Sequence, residues 1–184
     1  MIRDKIKNRD IQNIDDDIIR AKRLIRERLC NDEDIIEVLH NVELEKNEAP
    51  PDEYFGTNIF ACVRVPGIED TVRNHICFSI DDIEDSYTNE AIKLQYIQFV
   101  IFCNKEDINT PYGIERHDLL GYLIRDLFHW SDLLGMQMKL VYNREGVTDT
   151  NYYTRTMKFE CRKPNSLQRG VRHNRYEFDT YRPS

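Results

Sequence analysis

The sequence predicts an α+β fold: a mostly antiparallel sheet of about five strands, with N-terminal helices and one central amphipathic helix packed on one face. Three observations predict it. The candidate elements follow the order two helices, three strands, one helix and two strands. Residues 92–104 (IKLQYIQFVIFCN) form a long strand candidate. Residues 117–130 (HDLLGYLIRDLFHW) carry a single apolar stripe at helical spacing, and such a stripe needs a sheet to cover.

The composition fits one soluble domain with a substantial core. The chain has 184 residues, of which 40% are apolar and 32% charged. That length suits one domain better than two. No apolar run approaches the roughly 18 residues of a membrane span, and residues 1–10 lack the apolar core of a signal peptide. We therefore expect a protein that stays in the cytoplasm, or in a particle assembled there, without membrane contact.

Two helices are predicted ahead of the sheet. In residues 13–29 the apolar side chains form one stripe, acidic residues lie in the first turn and basic residues toward the end, an order that complements the helix dipole. A shorter helix follows, capped by Asn31 or Asp32, and helical structure ends by residue 41. Residues 42–57 are polar, acidic and interrupted by two prolines, so we predict a connecting loop there.

The strand candidates are residues 58–65, 75–83, 92–104, 136–142 and 152–161. Early in the third candidate, Ile92, Leu94 and Tyr96 alternate with polar residues, which predicts that these three face the core. Residues 99–103 have no polar face and are expected to be covered on both sides. The predicted organisation is an N-terminal arm (1–12), a single α+β domain (13–163) and an extended C-terminal arm (164–184).

The five cysteines are predicted to be small core residues. They are odd in number and contain no Cys-x-x-Cys pair, so their spacing suits neither a disulfide framework nor a zinc site. Four of them lie inside or beside apolar strand candidates. The set is Cys30, Cys62, Cys77, Cys103 and Cys161.

The net charge of −7 conceals an acidic body with basic ends. Residues 1–31 carry nine Lys/Arg against six Asp/Glu, residues 32–161 eleven against twenty-five, and residues 162–184 six against two. The end of one copy could therefore lie on the body of the next. The alternative is that the charged ends only keep the chain soluble.

The patterns that could carry chemistry are each incomplete. Asp126 and His129 stand three residues apart on the central helix, but no second pair completes a metal site, so both are predicted to face solvent. Asp81, Asp82 and Glu160 resemble the Asp plus Glu-x-Lys arrangement of restriction-endonuclease-like nucleases, in which a metal ion and a lysine activate water, although the lysine stands one place late. We predict no catalytic, metal-binding or cofactor-binding residue, and a metal-dependent nuclease remains the alternative.

Three segments in their order resemble the neck and tail-terminator (tail completion) proteins of tailed bacteriophages. They are DEDIIEVLHN before the sheet, YIQFVIFCN as the central strand and RHDLLGYLIRDLF as the packing helix, within residues 32–159. The resemblance implies a structural virion protein at the head–tail junction. Such a protein forms a ring that caps the tail tube and docks to the connector.

The resemblance also implies the partners. They are copies of the chain itself in a ring, the neighbouring neck or connector and tail-tube proteins, and DNA that passes through a channel without specific binding, since an acidic wall repels phosphate. The basic end suggests Arg169, Arg172, Arg175 and Tyr176 as contacts between subunits, although the same residues could touch nucleic acid. A monomeric adaptor protein is a further alternative.

Overall fold

The computed structural model describes residues 17–67, 73–83 and 92–164. In these ranges the α-helices are α1 (Asp17–Cys30), α2 (Glu33–Leu39), α3 (Val42–Lys46) and α4 (Arg116–Phe128). The strands are β1 (Ile59–Phe60), β2 (Asn74–Ile83), β3 (Ile92–Asn104), β4 (Met138–Val147) and β5 (Tyr152–Pro164). Short 3-10 helices occupy Pro51–Tyr54 and Lys105–Asp107. The predicted N-terminal arm (1–12) and residues 13–16 of the first predicted helix lie outside the described residues. So does the predicted C-terminal arm (164–184), except for Pro164, which is the last residue of β5.

The strands form one sheet in the order β1-β2-β3-β5-β4. β3 pairs with β5 over its whole length, from Ile92 opposite Pro164 to Asn104 opposite Tyr152, and with β2 on its other side. All pairings are antiparallel except that of β1 with β2. The predicted α+β fold with a mostly antiparallel five-stranded sheet is confirmed.

The main core lies between the sheet and three of the helices. Buried side chains of α1, α2 and α4 pack in one cluster with residues from β1 through β5, so the helices cover the same face, as predicted. Phe99 of β3 is at the centre of this cluster. Its ring centroid lies 6.1 Å from that of Phe78, 5.0 Å from that of Phe128 and 5.6 Å from that of Phe159. One aromatic side chain therefore joins three strands to α4.

The opposite face of the sheet has a smaller apolar cluster. Cys77, Val100, Phe102 and Tyr152 are buried there, with Phe60 packed against them. Because Phe99 and Ile101 are buried on the helix-covered face at the same time, the prediction that residues 99–103 are covered on both sides is confirmed.

The predicted orientation of the first half of β3 was wrong. Gln95 is fully buried and shares a face with Ile97 and Phe99, whereas Tyr96 is only partly buried. Strand residues alternate strictly between faces, and the large side chains near the centre of β3 set the parity for the whole strand. Tyr96 instead lies under the ammonium group of Lys158, which is 4.2 Å from its ring centroid.

Residues 42–57 are not a continuous loop, which corrects that prediction. Asn41 caps α3 because its side-chain oxygen accepts hydrogen bonds from the Glu43 and Leu44 backbone N–H groups. Pro51 then begins the 3-10 helix, where its missing N–H costs nothing. Only two residues of the predicted strand 58–65 pair with β2, because the backbone leaves the sheet after Phe60. Further along, the Arg64 carbonyl accepts a hydrogen bond from the Cys77 thiol.

The remaining boundaries differ by a few residues. Asp32 caps α2 by accepting a hydrogen bond from the Ile35 N–H, as one of the two predicted candidates. α4 ends at Phe128 because the chain turns at Trp130, whose φ of 64° is left-handed. β4 continues to Val147, well past its predicted end, and Asn151, with φ 63°, lies in the turn that leads into β5. None of the described helices is long and apolar enough to cross a membrane.

Replacing Phe99 with alanine tests the central role of this side chain. We expect Phe99→Ala to lower the free energy of unfolding by about 3–5 kcal/mol, because the ring is fully buried and its loss leaves a cavity among three aromatic neighbours. Urea denaturation measures the change. Tyr122→Ala on the exposed side of α4 is the control and should change stability by less than about 0.5 kcal/mol. A similar loss in both variants would contradict this account of the core.

Thiol reactivity tests the arrangement of the cysteines. Four of the five are buried and Cys62 is exposed, so the prediction of core cysteines holds for all but that one. Burial raises the pKa of the Cys30, Cys77 and Cys103 thiols, which suppresses the reactive thiolate. We expect one thiol per chain to react with a chromogenic disulfide under native conditions, and none in Cys62→Ser. Rapid reaction of several thiols in the folded protein would show that these side chains are open to solvent.

Candidate functional site

The strand β4 is an edge of the sheet with an open backbone along most of its length. It pairs with β5 on one side, and after Met138 its residues are exposed or only partly buried. Within the described part of the chain, no backbone group forms a hydrogen bond with the outer side of residues 141–147. An uncovered edge strand offers a row of N–H and C=O groups to another chain.

The beginning of β4 is covered by the turn that follows α4. The Trp130 N–H donates to the Met138 carbonyl at 2.7 Å, and the Met138 N–H donates to the Ser131 carbonyl at 2.9 Å. His129 Nδ1 accepts a hydrogen bond from the Leu140 N–H at 3.0 Å. The prediction that both His129 and Asp126 face solvent was therefore wrong for the histidine, which is fixed against the edge strand, while Asp126 is exposed.

The open part of the edge carries exposed apolar side chains. Val141, Tyr142 and Val147 are 45%, 44% and 70% exposed, and Trp130 beside the covered end is 56% exposed. A register shift between Leu140 and Tyr142 marks a β-bulge. We call residues 141–147 the open edge. Apolar side chains next to unpaired backbone groups are typical of a surface that binds another chain.

Charged side chains connect β4 and β5 to the first turn of α4. Arg155 of β5 donates to the Asp118 carboxylate and to Asn143 Oδ1, the latter at 2.9 Å, and lies 3.7 Å from Glu145 Oε1. Gly121 makes this arrangement possible, since a Cβ atom at that position would collide with the Arg155 side chain. Glycine lowers the helix propensity at position 121, but its lack of a side chain leaves the space that Arg155 occupies next to α4.

His117 lies beside this cluster with two carboxylates at its ring. Its Nε2 atom is 3.8 Å from Glu115 Oε2 and 3.6 Å from Asp118 Oδ1, so the three side chains have the spacing of potential metal ligands. However, the Arg155 guanidinium already binds Asp118, and His117 Nδ1 has no hydrogen-bond partner among the described residues. A ligating histidine normally holds such a partner, so the group fits an ion-pair network better than a metal centre.

A second polar network fixes α2 to the segment that follows β3. The buried Arg116 guanidinium donates to the Val38 carbonyl at 2.6 Å, to the Asp107 carbonyl at 2.7 Å and to Asp107 Oδ1 at 3.1 Å. Asp107 also accepts from Asn74 at 2.7 Å and contacts His40 Nδ1 at 3.2 Å. Every charge in this network has a partner, which is the condition for burying an arginine without a large desolvation penalty.

The residues of the nuclease alternative do not converge. Asp81 is opposite Tyr96 on β3, and Tyr96 is opposite Glu160 on β5, so the two carboxylates lie two strand spacings apart, about 10 Å. Asp82 is paired with Gln95, in the next row of the sheet. Glu160 binds Arg162 at 3.0 Å. One cation with oxygen ligands at about 2.0–2.6 Å would not bridge this row in the described geometry.

Sequence reasoning missed both charged networks. Their members are far apart in sequence: strand pairing brings Arg155 next to Asn143 and Glu145, and the packing of α4 against α2 brings Arg116 to the Val38 carbonyl. The predicted subunit contacts Arg169, Arg172, Arg175 and Tyr176 lie outside the described residues. The open edge was missed as well, because β4 was predicted to end at residue 142.

A comparison with protein families identifies a family to which this chain belongs. A family model described as YomW matches residues 32–161, which contain α2 through most of β5. No curated protein matches the chain.

The contact between Gly121 and Arg155 predicts a coupled pair of mutations. Gly121→Ala in the wild-type chain should lower the free energy of unfolding by about 1 kcal/mol, because displacing Arg155 from Asp118 costs more than the helix gains. In an Arg155→Ala background the same change should stabilise the protein by up to about 1 kcal/mol. Urea denaturation of the four chains gives the coupling energy. Equal effects of Gly121→Ala in both backgrounds would show that Arg155 does not constrain this position.

Proposed function

Because the chain belongs to the YomW family, which is phage-associated, we propose that it is a structural protein of a phage particle. In this proposal it is located in the virion at the head–tail junction, as a neck or tail-terminator protein. It assembles into a ring of identical subunits that caps the tail tube and docks to the connector. The ring is built in the host cytoplasm and has no enzymatic activity.

The open edge of β4 is the observation that carries the proposal. In a cyclic ring each subunit presents one surface to the neighbour on one side and a different surface to the neighbour on the other. Addition of a strand to residues 141–147 would pair their free backbone groups and cover Val141, Tyr142 and Val147. Backbone hydrogen bonds give such an interface affinity, and the exposed side chains give it specificity.

The other edge of the sheet is only partly covered: β1 pairs with β2 at Ile76 and Cys77, and residues 78–83 of β2 have no further partner strand among the described residues. β1 has two residues, and the Ile59 carbonyl already accepts a hydrogen bond from the Gly56 N–H at 2.8 Å. Lys22 Nζ donates to the Ala61 carbonyl at 2.8 Å, next to the same strand. Within the described residues both edges thus have unpaired backbone, and we assign the contact to β4 because its open part also carries exposed apolar side chains. A head-to-tail contact would join this edge to a different surface on the next subunit.

The charge distribution supports a channel for DNA. Residues 32–161 carry twenty-five Asp/Glu against eleven Lys/Arg. A ring lined by this body would repel phosphate, so DNA could pass through without specific binding. We propose Arg169, Arg172, Arg175 and Tyr176 of the basic end as contacts between subunits. Neighbouring connector and tail-tube proteins would bind the two sides of the ring.

Charge placed on the open edge tests the assembly. We expect the wild-type protein to form a ring, and Tyr142→Lys with Val147→Lys to shift it to monomers, because burying two lysines in the interface is unfavourable. Light scattering after size-exclusion chromatography gives the mass, and negative-stain electron microscopy shows whether a central hole is present.

The control carries the same charge change away from the edge, with Tyr122→Lys and Val63→Lys at exposed positions. It should assemble like the wild type, and thermal unfolding should show that both double variants remain folded. A monomeric wild-type chain would refute the proposed function and favour an adaptor protein. Rings formed by the Tyr142 and Val147 variant would exclude the open edge as the interface.

A further inference from the structure

A cleft of about 660 Å³ lies between α2, α3 and the segment after β3. Its lining includes the apolar side chains of Ile36, Val38 and Pro111 and three exposed carboxylates, Glu33, Glu37 and Glu45. The cleft lining therefore combines apolar side chains with several carboxylates. It is formed by other residues than the open edge, since its lining comes from the helical segments and the turn after β3 and includes no residue of β4.

The positive charge of Arg116 does not neutralise this cleft. Its guanidinium donates to the carbonyls of Val38 and Asp107 and to the Asp107 carboxylate, so its donors point into the protein. Tyr112 closes part of the rim, since its hydroxyl donates to Glu37 Oε1 at 2.5 Å. Glu33, Glu45 and the second carboxylate oxygen of Glu37 can bind a cationic ligand, and the apolar side chains of the lining suit the aliphatic part of an arginine or an aromatic ring.

The chain's own C-terminal end has the matching chemistry. Residues 165–176 (NSLQRGVRHNRY) contain Arg169, Arg172 and Arg175 and no acidic residue. The interleaved leucine, valine and tyrosine could contact the apolar side chains of the lining. Charge complementarity thus favours a basic peptide segment over an anionic ligand such as nucleic acid, which the carboxylates would repel.

Distance decides which copy would supply the segment. β5 ends at Pro164, opposite Ile92, whereas the cleft is beyond the other end of β3, past Asn104. The thirteen residues of β3 span about 40 Å. Arg172 is eight residues after Pro164 and reaches at most about 29 Å in a fully extended chain. Arg169 and Arg172 therefore cannot reach the cleft of their own molecule.

We propose that the cleft binds the basic C-terminal segment, residues 165–176, of a second copy of the chain. The inference rests on the proposed assembly of identical subunits and names a second contact within it. Each subunit would then hold its neighbours in two ways, through the open edge and through an arginine-rich segment inserted into the cleft. Because the contact depends on exposed charges, it should weaken as salt concentration rises.

Cross-linking between isotopically distinct copies tests the proposal on the full chain. Tyr176 is replaced by the photoreactive residue benzoylphenylalanine in unlabelled protein, which is mixed at high salt with ¹⁵N-labelled wild-type protein and returned to low salt. After irradiation, mass spectrometry identifies the cross-linked peptides. We expect cross-links from unlabelled Tyr176-substituted chains to labelled peptides that contain cleft residues, such as Ile36 or Tyr112.

A charge-matched pair of variants tests whether the carboxylates matter. Glu33→Gln, Glu37→Gln and Glu45→Gln in the labelled chain should lower the yield of these cross-links roughly tenfold, as three weak ion pairs are lost. Glu43→Gln, Glu48→Gln and Asp126→Asn remove the same charge outside the cleft and should leave the yield unchanged. An equal loss in both triple variants would mean non-specific attraction and would overturn the proposal.

The mass of the wild-type protein separates this inference from the proposed function. If rings form but the cross-links between labelled and unlabelled copies contain no cleft peptide, or if cross-links form only within one copy, the cleft proposal is overturned and the proposed ring is not affected. A wild-type chain that is monomeric at low salt would overturn the ring, and the cleft contact with it.

Discussion

The structure depends on β3, a strand that is paired on both sides and covered on both faces at its centre. Phe99 and Ile101 pack under the helices while Val100 and Phe102 pack on the opposite side. The register of such a strand is strongly specified, since a shift by one residue would turn every core side chain to the wrong face of the sheet. The neighbouring strands and α4 are positioned by this constraint, and with them the surfaces to which we assign a function.

Charged side chains complete the connection between the helices and the sheet. Arg116 joins α2 to the end of β3, and Arg155 joins α4 to β4 and β5. In both cases a long cation reaches an element that apolar packing already brings close, and carboxylates or carbonyls match its donors. Asp107 and Asp118 are each paired with an arginine in this way, so it is carboxylates outside the two networks, such as Glu33 and Glu45, that are left to attract a ligand.

The sequence predicted the elements with strong periodicity and failed where long-range contacts decide. β3 and α4 were predicted within two residues, because their apolar patterns are long and regular. Gln95 was predicted on the wrong face because alternation over a few residues does not show which of the two faces is the one that the buried centre of the strand turns toward the helices. The helix beginning after Asn41 was missed because a capped turn of five residues has too few apolar positions to show a period. The cleft and the open edge could not be predicted, since both arise from the packing and pairing of segments distant in the chain.

The β-bulge next to Val141 has a geometric consequence for any assembly built on this edge. A bulge increases the local right-handed twist of its strand, so a chain added there would follow a direction rotated away from that of the first half of β4. In a closed circle the rotation per subunit determines how many copies are needed to return to the start. One inserted residue would thus help to set the stoichiometry and diameter of the proposed ring.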